Sequence, residues 1–375
     1  MNNKLKARVI AYYLPQYHPI PENDKYWGKG FTEWTNVAQA RPLFRGHEQP
    51  RIPADLGFYD LRMLEVRELQ AQLAREAGVE GFMYWHYWFG GGKELLERPF
   101  NEVVDSGKPD FPFCLGWANH DWSTRTWNKS KEYVNTMIAK QTYPGDEDII
   151  LHFNTYLKAF KDPRYMKIDG RLIFVVYSPM EVPNMKRHIE LWNKLAKENG
   201  LPGFYFIGCL MSRTDTVEGI MSQGFDGINE RSFWRAEKNA VGSKWLRRLR
   251  NYLRAKGLII DKYKYSSIVK NMGYEIDYEE NCFPTIQPNY DRTPRAGRKA
   301  TIYYGSTPAL FKKHVIDILK YVKNKEDDHK IIFLKSWNEW GETNFMEPDI
   351  KWGHAYLDAL HEALTWSKGE EPPKV

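Results

Sequence analysis

The chain has 375 residues, a length that suits one decorated α/β barrel. With 42% hydrophobic and 27% charged residues it can bury a core, which excludes a chain disordered by composition. A net charge of +6, from 54 Lys and Arg against 48 Asp and Glu, is compatible with an anionic glycan or membrane-surface partner, and no nucleic-acid-binding signature accompanies it.

In chain order, short apolar runs alternate with amphipathic stretches. Strands are predicted at 9–14, 79–86, 113–117, 172–177, 204–209, 227–229, 283–287 and 331–336. The runs at 172–177 and 331–334 are apolar without alternation, as in strands covered on both faces. Helices are predicted at 61–77, 185–198, 310–323 and 355–364. The first carries Leu61, Leu64, Leu69 and Leu73 on one stripe and stops at Gly78. Eight strand-then-helix units predict an α/β fold of the (β/α)8 TIM barrel type. The first strand is not followed by a GxGxxG turn, which argues against a dinucleotide-binding sheet. The expectation is a single barrel catalytic domain over 1–375, with long active-face insertions at about 15–60 and 231–280.

Cys114, Cys209 and Cys282 form no CxxC pattern and read as buried thiols of a reducing compartment. The first six residues lack the apolar core of a signal peptide, and no run reaches membrane-spanning length, so a cytoplasmic location is expected.

The chemistry concentrates at the ends of strands. The last strand runs into Ser336-Trp337-Asn338-Glu339-Trp340-Gly341-Glu342. Two carboxylates three positions apart, in an aromatic setting, suit the proton donor and the charged partner that a glycosidic bond requires. Neighbouring acids in a partly dry pocket have their pKa values driven apart. The competing reading is a solvated loop with helix-capping acids, and the placement at a strand's C-terminal end favours chemistry. Other strand ends carry Tyr13, Tyr17 and His18; Trp85, His86 and Tyr87; Trp117, Asn119, His120 and Asp121; Tyr177; and Glu230. Together with Trp337, Asn338 and Trp340 they compose a sugar-binding rim, since aromatic faces stack on sugar rings. A metal held by His86, His120 and Asp121 is the rival reading, but no HxH or HExxH spacing supports it, and no GxSxG elbow marks a serine nucleophile. No metal and no cofactor are expected.

Within the second insertion, Trp245, Leu246, Leu249, Tyr252 and Leu253 share one face of a helix and arginines cover the other. Residues 244–256 therefore read either as a dock for an anionic membrane, glycan or partner, or as a solvated helix packed on the barrel; the second is the simpler. The basic run Arg292-Thr293-Pro294-Arg295-Ala296-Gly297-Arg298-Lys299 follows the seventh strand and reads either as a solvated loop or, preferred for its place on the active face, as meeting an acidic sugar or phosphate. Oligomeric state is not legible.

Two long motifs carry a family resemblance: Ala11-Tyr12-Tyr13-Leu14-Pro15-Gln16-Tyr17-His18-Pro19 with 27–37, which includes Glu33 and Trp34, and 336–342 with Met346-Glu347-Pro348. These resemble the WbsX-type family, labelled glycosyltransferase in polysaccharide loci, and are similar to glycoside hydrolase family 99, the endo-α-mannosidase and endo-α-mannanase barrels. The resemblance implies a retaining barrel enzyme acting on an oligo- or polysaccharide. It adds Glu33 and Trp34 to the site. It also implies that Glu339 acts as a base on the substrate 2-hydroxyl and Glu342 as acid/base at the glycosidic oxygen. The chain departs from the hydrolases at 84–87 and 28–36, so a mannose substrate is not carried over.

Three functions follow in order. The first is a glycoside hydrolase or transglycosylase acting on O-antigen, capsule or a related glycan. The second is a glycosyltransferase using an activated sugar donor, against which stands the absence of a P-loop motif. The third is a non-catalytic glycan-binding barrel.

Overall fold

β1 (Arg8–Tyr13) pairs in parallel with β2 (Val79–Trp88) on one side and with β9 (Ile331–Leu334) on the other. From β2 the sheet continues through β3 (Phe113–Trp117), β4 (Arg171–Val176), β5 (Phe204–Leu210) and β6 (Gly227–Glu230) to β7 (Cys282–Phe283). On its other edge β9 carries β8 (Thr285–Ile286). The computed structural model, which describes residues 5–124 and 136–366, is thus a nearly closed barrel of nine parallel strands with helices between them, an α/β architecture of the TIM type. β3, β5 and β9 are buried at every position, which accounts for their apolar runs.

The expected seventh strand, 283–287, is two strands. Pro284 stands at the break and has no N–H to give to a ladder. The half before it pairs with β6 and the half after it with β9. Side chains stitch the seam. Asn229 Nδ2 donates to Phe283 O and to Thr285 Oγ1, both at 2.9 Å, and Thr285 Oγ1 donates to Glu230 O at 2.8 Å.

The first insertion contributes α1 (Glu33–Ala38), and the helix layer begins with α2 (Leu64–Glu76), α3 (Asp146–Phe160) and α4 (Met185–Glu198). α2 shares its inner face between the leucine stripe and polar residues; Leu61, just before the helix, and Leu73 are buried. Arg67, Gln70, Ala71, Leu73 and Ala74 face inwards, and Leu64 and Leu69 are half-buried. Arg67 and Gln70 can turn in because the interior supplies partners: Leu61 O and Glu102 for the first, Tyr13 and Glu347 for the second.

The second insertion packs a small cluster of its own around Ala236, Tyr265, Ile268, Met272 and Tyr303. Beside it, α5 (Lys244–Ala255) buries none of its residues, so it is not the packed helix expected from sequence. Arg250 and Arg254 pair with buried Asp261 at 3.0 and 2.7 Å, while Trp245, Leu246, Leu249 and Tyr252 are exposed and Leu253 is half-buried. A buried aspartate requires cationic partners, and that requirement orients the helix. Two further helices, α6 (Thr293–Ala296) and α7 (Pro308–Val322), lead to β9, and α8 (Ala355–Thr365) closes the described chain. The three cysteines are buried free thiols. Among the described residues no helix is long and apolar enough to cross a membrane.

Candidate active site

A cavity of about 460 Å³ opens at the C-terminal ends of the strands. The pleat decides which residues reach it, because successive side chains of a strand point to opposite faces. On β1, Tyr12 lines the cavity, whereas Tyr13 faces the helix layer and donates to Gln70 Oε1 at 2.7 Å. On β2, Trp85 and Tyr87 line it, whereas His86 points away and its Nε2 lies 2.8 Å from His152 Nε2 on α3. Burial pushes the His86 imidazole down to about 3 and His152 well below its ordinary value, so this is a neutral pair in the helix layer and not a substrate contact.

Trp117 on β3 also faces outwards. Its Nε1 donates to Trp88 O at 2.9 Å, and its ring packs on His152 and His188. Asn119 clamps the backbone of Ser178, accepting from N at 2.8 Å and donating to O at 2.9 Å. Asp121 accepts from Gln141 N at 2.8 Å. None of these three lines the cavity, but His120 and Tyr177 do. Glu230 is buried at the end of β6, accepts from Ser232 N at 3.1 Å, and is pushed up to about 8 by burial; it too lies outside the cavity.

The motif after β9 divides between scaffold and chemistry. β10 (Asn338–Glu339) pairs antiparallel with β11 (Asn344–Phe345), and the turn between them, Trp340–Glu342, carries the second acid. Asn338 staples this loop to the end of β1: it accepts from Leu14 N at 2.8 Å and donates to Leu14 O at 3.0 Å. Trp337 packs on Phe82 in the core, and Trp340 stacks on Phe345 with ring centroids 3.6 Å apart. Trp340 Nε1 donates to Glu347 Oε2 at 2.5 Å, and its backbone N donates to Tyr17 OH at 2.9 Å. Glu347 also accepts from Gln70 Nε2 at 2.6 Å and from Tyr59 OH at 2.9 Å. Trp34 packs on Tyr17 and Trp340, and its Nε1 donates to Tyr59 O at 2.7 Å. His18 is buried, with its pKa pushed down to about 4 by burial. Tyr13, Tyr17, His18, Trp34, Trp337, Asn338 and Trp340 therefore support the loops and do not line the cavity, because each has its polar atoms or its ring committed to the interior.

Arg295 on α6 organises the acids. It bonds Glu33 of α1 through Nε and through Nη2, the latter at 2.7 Å. The same guanidinium reaches Glu339 Oε1 at 2.5 Å and Glu342 Oε1 at 3.0 Å. Arg292 Nε lies 3.0 Å from Glu342 Oε1, and Lys335 Nζ 3.7 Å from Oε2. Glu33 is thus behind the cavity, not in its lining. Gly341 is required here, because a Cβ would overlap the Glu33 carboxylate.

Burial pushes the Glu339 carboxyl up to about 7; Arg295 opposes this, and Glu342 and Glu33 add to it. Burial also works to raise Glu342, but Arg292, Lys335 and Arg295 outweigh it and hold that carboxyl down to about 2. Near neutral pH the cavity holds one protonatable carboxyl beside one fixed carboxylate. Of the two, Glu339 is the one pushed towards its protonated form and Glu342 the one held ionised.

Several lining residues escaped the sequence reading, among them Tyr12, Gln16, Arg231, Phe233, Tyr290 and Lys335. Tyr12 and Arg231 each neighbour an expected site residue, Tyr13 and Glu230, and alternation along the chain decides which of the two faces the cavity. Arg292 and Arg295 of the basic run line the cavity, while Arg298 and Lys299 are exposed.

A TIM-type barrel with a carboxyl–carboxylate pair in an aromatic cavity at its strand ends has the architecture of the carbohydrate-active barrels. The chain belongs to the family described as Glycosyltransferase WbsX, whose model matches residues 9–360. Two relatives, both called uncharacterized protein WxcX and from two strains of Xanthomonas campestris pv. campestris, are 34% identical over 364 residues, covering 96% of this chain and 50% of each relative. The chain spans about half the length of the curated relatives it matches. Its fold is similar to that of a glycoside hydrolase-like protein, with TM-score 0.61, 13% identity and coverage of 97% of this chain and 95% of that one. It is also similar to the glycoside hydrolase family 99 endo-α-mannosidase of Bacteroides thetaiotaomicron, with TM-score 0.54, 14% identity and coverage of 95% and 96%.

Proposed function

We propose that the chain is a glycoside hydrolase or transglycosylase, of the retaining kind, acting on a bacterial cell-surface polysaccharide such as O-antigen or capsule. The observation that carries this reading is the pair Glu339 and Glu342, held on one guanidinium with opposite pKa shifts. Glu339 gives its proton to the leaving oxygen as the glycosidic C–O bond breaks. Glu342, kept ionised, faces the positive charge that develops at the anomeric carbon and takes up the sugar directly or through its 2-hydroxyl. Water or an acceptor hydroxyl then gives its proton to Glu339 as its oxygen bonds the anomeric carbon and the bond to Glu342 breaks, or, on the second route, as the 1,2-anhydro ring opens and the 2-oxygen takes its proton back from Glu342. Trp85, Tyr87 and Tyr177 offer aromatic faces to the sugar rings.

Aryl glycosides with good and poor leaving groups test the assignment. A Glu339→Gln variant should keep turnover on the activated glycoside and lose it on the native linkage, because only the poor leaving group needs the proton. Glu342→Gln should lose both. Full activity in both variants would remove the proposed site.

The family's description and the cationic lining of Arg292, Arg295 and Lys335 favour a second reading, transfer from an activated sugar donor. Release of nucleotide from a sugar nucleotide, dependent on an added acceptor glycan, would establish it over the first.

A further inference from the structure

Arg231 lies just beyond the end of β6 and lines the cavity, yet it is only 7% exposed. Its guanidinium carbon sits over three aromatic rings, at 4.8 Å from the centroid of Tyr12, 5.4 Å from Tyr177 and 5.7 Å from Trp85. Nη1 donates to Cys209 Sγ at 3.8 Å, a weak acceptor. The Nε is buried and has no partner. Among the described residues no carboxylate pairs with this side chain. The other cations of the cavity differ. Arg292, Arg295 and Lys335 meet Glu33, Glu339 and Glu342, three cations to three carboxylates. Glu237, also in the lining, is taken up by the Tyr303 hydroxyl at 2.8 Å. Arg231 is therefore the lining cation that meets no carboxylate among the described residues.

A guanidinium this deep, with an open donor, is costly to bury unless an anion completes it, and the aromatic faces recover only part of that cost. A planar fork of N–H groups suits a carboxylate or phosphate oxygen pair. A diphosphate would have to draw Arg292 or Lys335 away from Glu342.

We propose that the cavity selects a glycan unit bearing an anionic substituent, a carboxylate as in a uronic acid or a sugar phosphate, with Arg231 as its partner. This rests on the glycan reading of the cavity and narrows it to acidic sugars. Arg231 is then a specificity residue, set beside the reacting acids and not one of them.

Binding measured by ligand-observed NMR tests this without turnover. The probes are methyl glucuronide and methyl galacturonide against methyl glucoside and methyl galactoside, with glucose 6-phosphate and inorganic phosphate as further arms. Wild-type protein should bind at least one acidic sugar about tenfold tighter than its neutral counterpart, and Arg231→Gln should abolish the difference. Arg231→Lys, which keeps the charge, should retain part of it, and thermal unfolding of each variant checks the fold. Preference for the uronides identifies a carboxylate, and preference for glucose 6-phosphate identifies a phosphate. Equal binding of acidic and neutral sugars, no binding of any acidic sugar, a preference that survives in Arg231→Gln, or inorganic phosphate binding as tightly as the acidic sugars would each overturn the proposal. Acid preference in a protein that cleaves no glycoside would instead sink the hydrolase reading and leave this one standing.

Discussion

Arg295 Nη2 stands 2.5 Å from Glu339 Oε1, and the same guanidinium holds Glu33 and Glu342. One buried cation thus joins the first insertion, α6 and the loop after β9. Replacing Arg295 by Met should leave these carboxylates in a low-dielectric site without their shared partner. We expect a loss of about 3–5 kcal/mol in urea unfolding, together with loss of turnover. Arg295→Lys should recover little of either, since an ammonium cannot span the same fork.

Glu339 at about 7 and Glu342 at about 2 set the pH dependence. Raising the pH through about 7 ionises Glu339 and removes the proton donor, so kcat/KM should fall by about tenfold per pH unit above that point. Glu342 remains ionised down to about 2, so between roughly pH 3 and 6 its titration should impose no acidic limb. A pH–rate series on the native linkage checks both, and on an activated glycoside, which needs no proton from Glu339, the basic limb should be flat.

Gly341→Ala places a methyl group against the Glu33 carboxylate, inside a packed charge cluster. Overpacking of this kind costs about 1–3 kcal/mol. The expected result is a lowered melting temperature and a larger drop in kcat than in binding, because Glu342 is the next residue.

Trp85→Ala and Tyr13→Phe should separate the two faces of the barrel wall. Trp85 lines the cavity, so its loss should raise KM for the glycan. The Tyr13 hydroxyl bonds Gln70 in the helix layer, so Tyr13→Phe should cost about 1 kcal/mol of stability and leave KM unchanged. Steady-state kinetics and denaturant titration on both variants distinguish the outcomes.

Much of the fold is legible in the sequence because buried parallel strands are continuous apolar runs, as in Leu172-Ile173-Phe174-Val175-Val176, and that pattern needs no tertiary knowledge. The division of 283–287 at Pro284 is not part of that pattern, and which neighbour each half pairs with is decided by the sheet. The site was harder. Tyr13, His86 and Trp117 look like rim residues by type, and each is turned outwards by the pleat. Asn338, Trp340 and Glu347 have the composition of a sugar site and serve as its scaffold, because their polar atoms find partners on β1, α2 and the first insertion. Such partners are distant in sequence, and no local pattern announces them.

By itself the sequence determined a TIM-type barrel and drew attention to two glutamates at its last strand end, since hydrophobic pattern and motif spacing are local properties. The tertiary structure decided what those glutamates are electrically. Arg295, Arg292 and Lys335 converge on them from α6, the turn before it and the end of β9. Whether a carboxyl is protonated depends on burial and on charges within a few ångströms, and those distances exist only once the chain has folded.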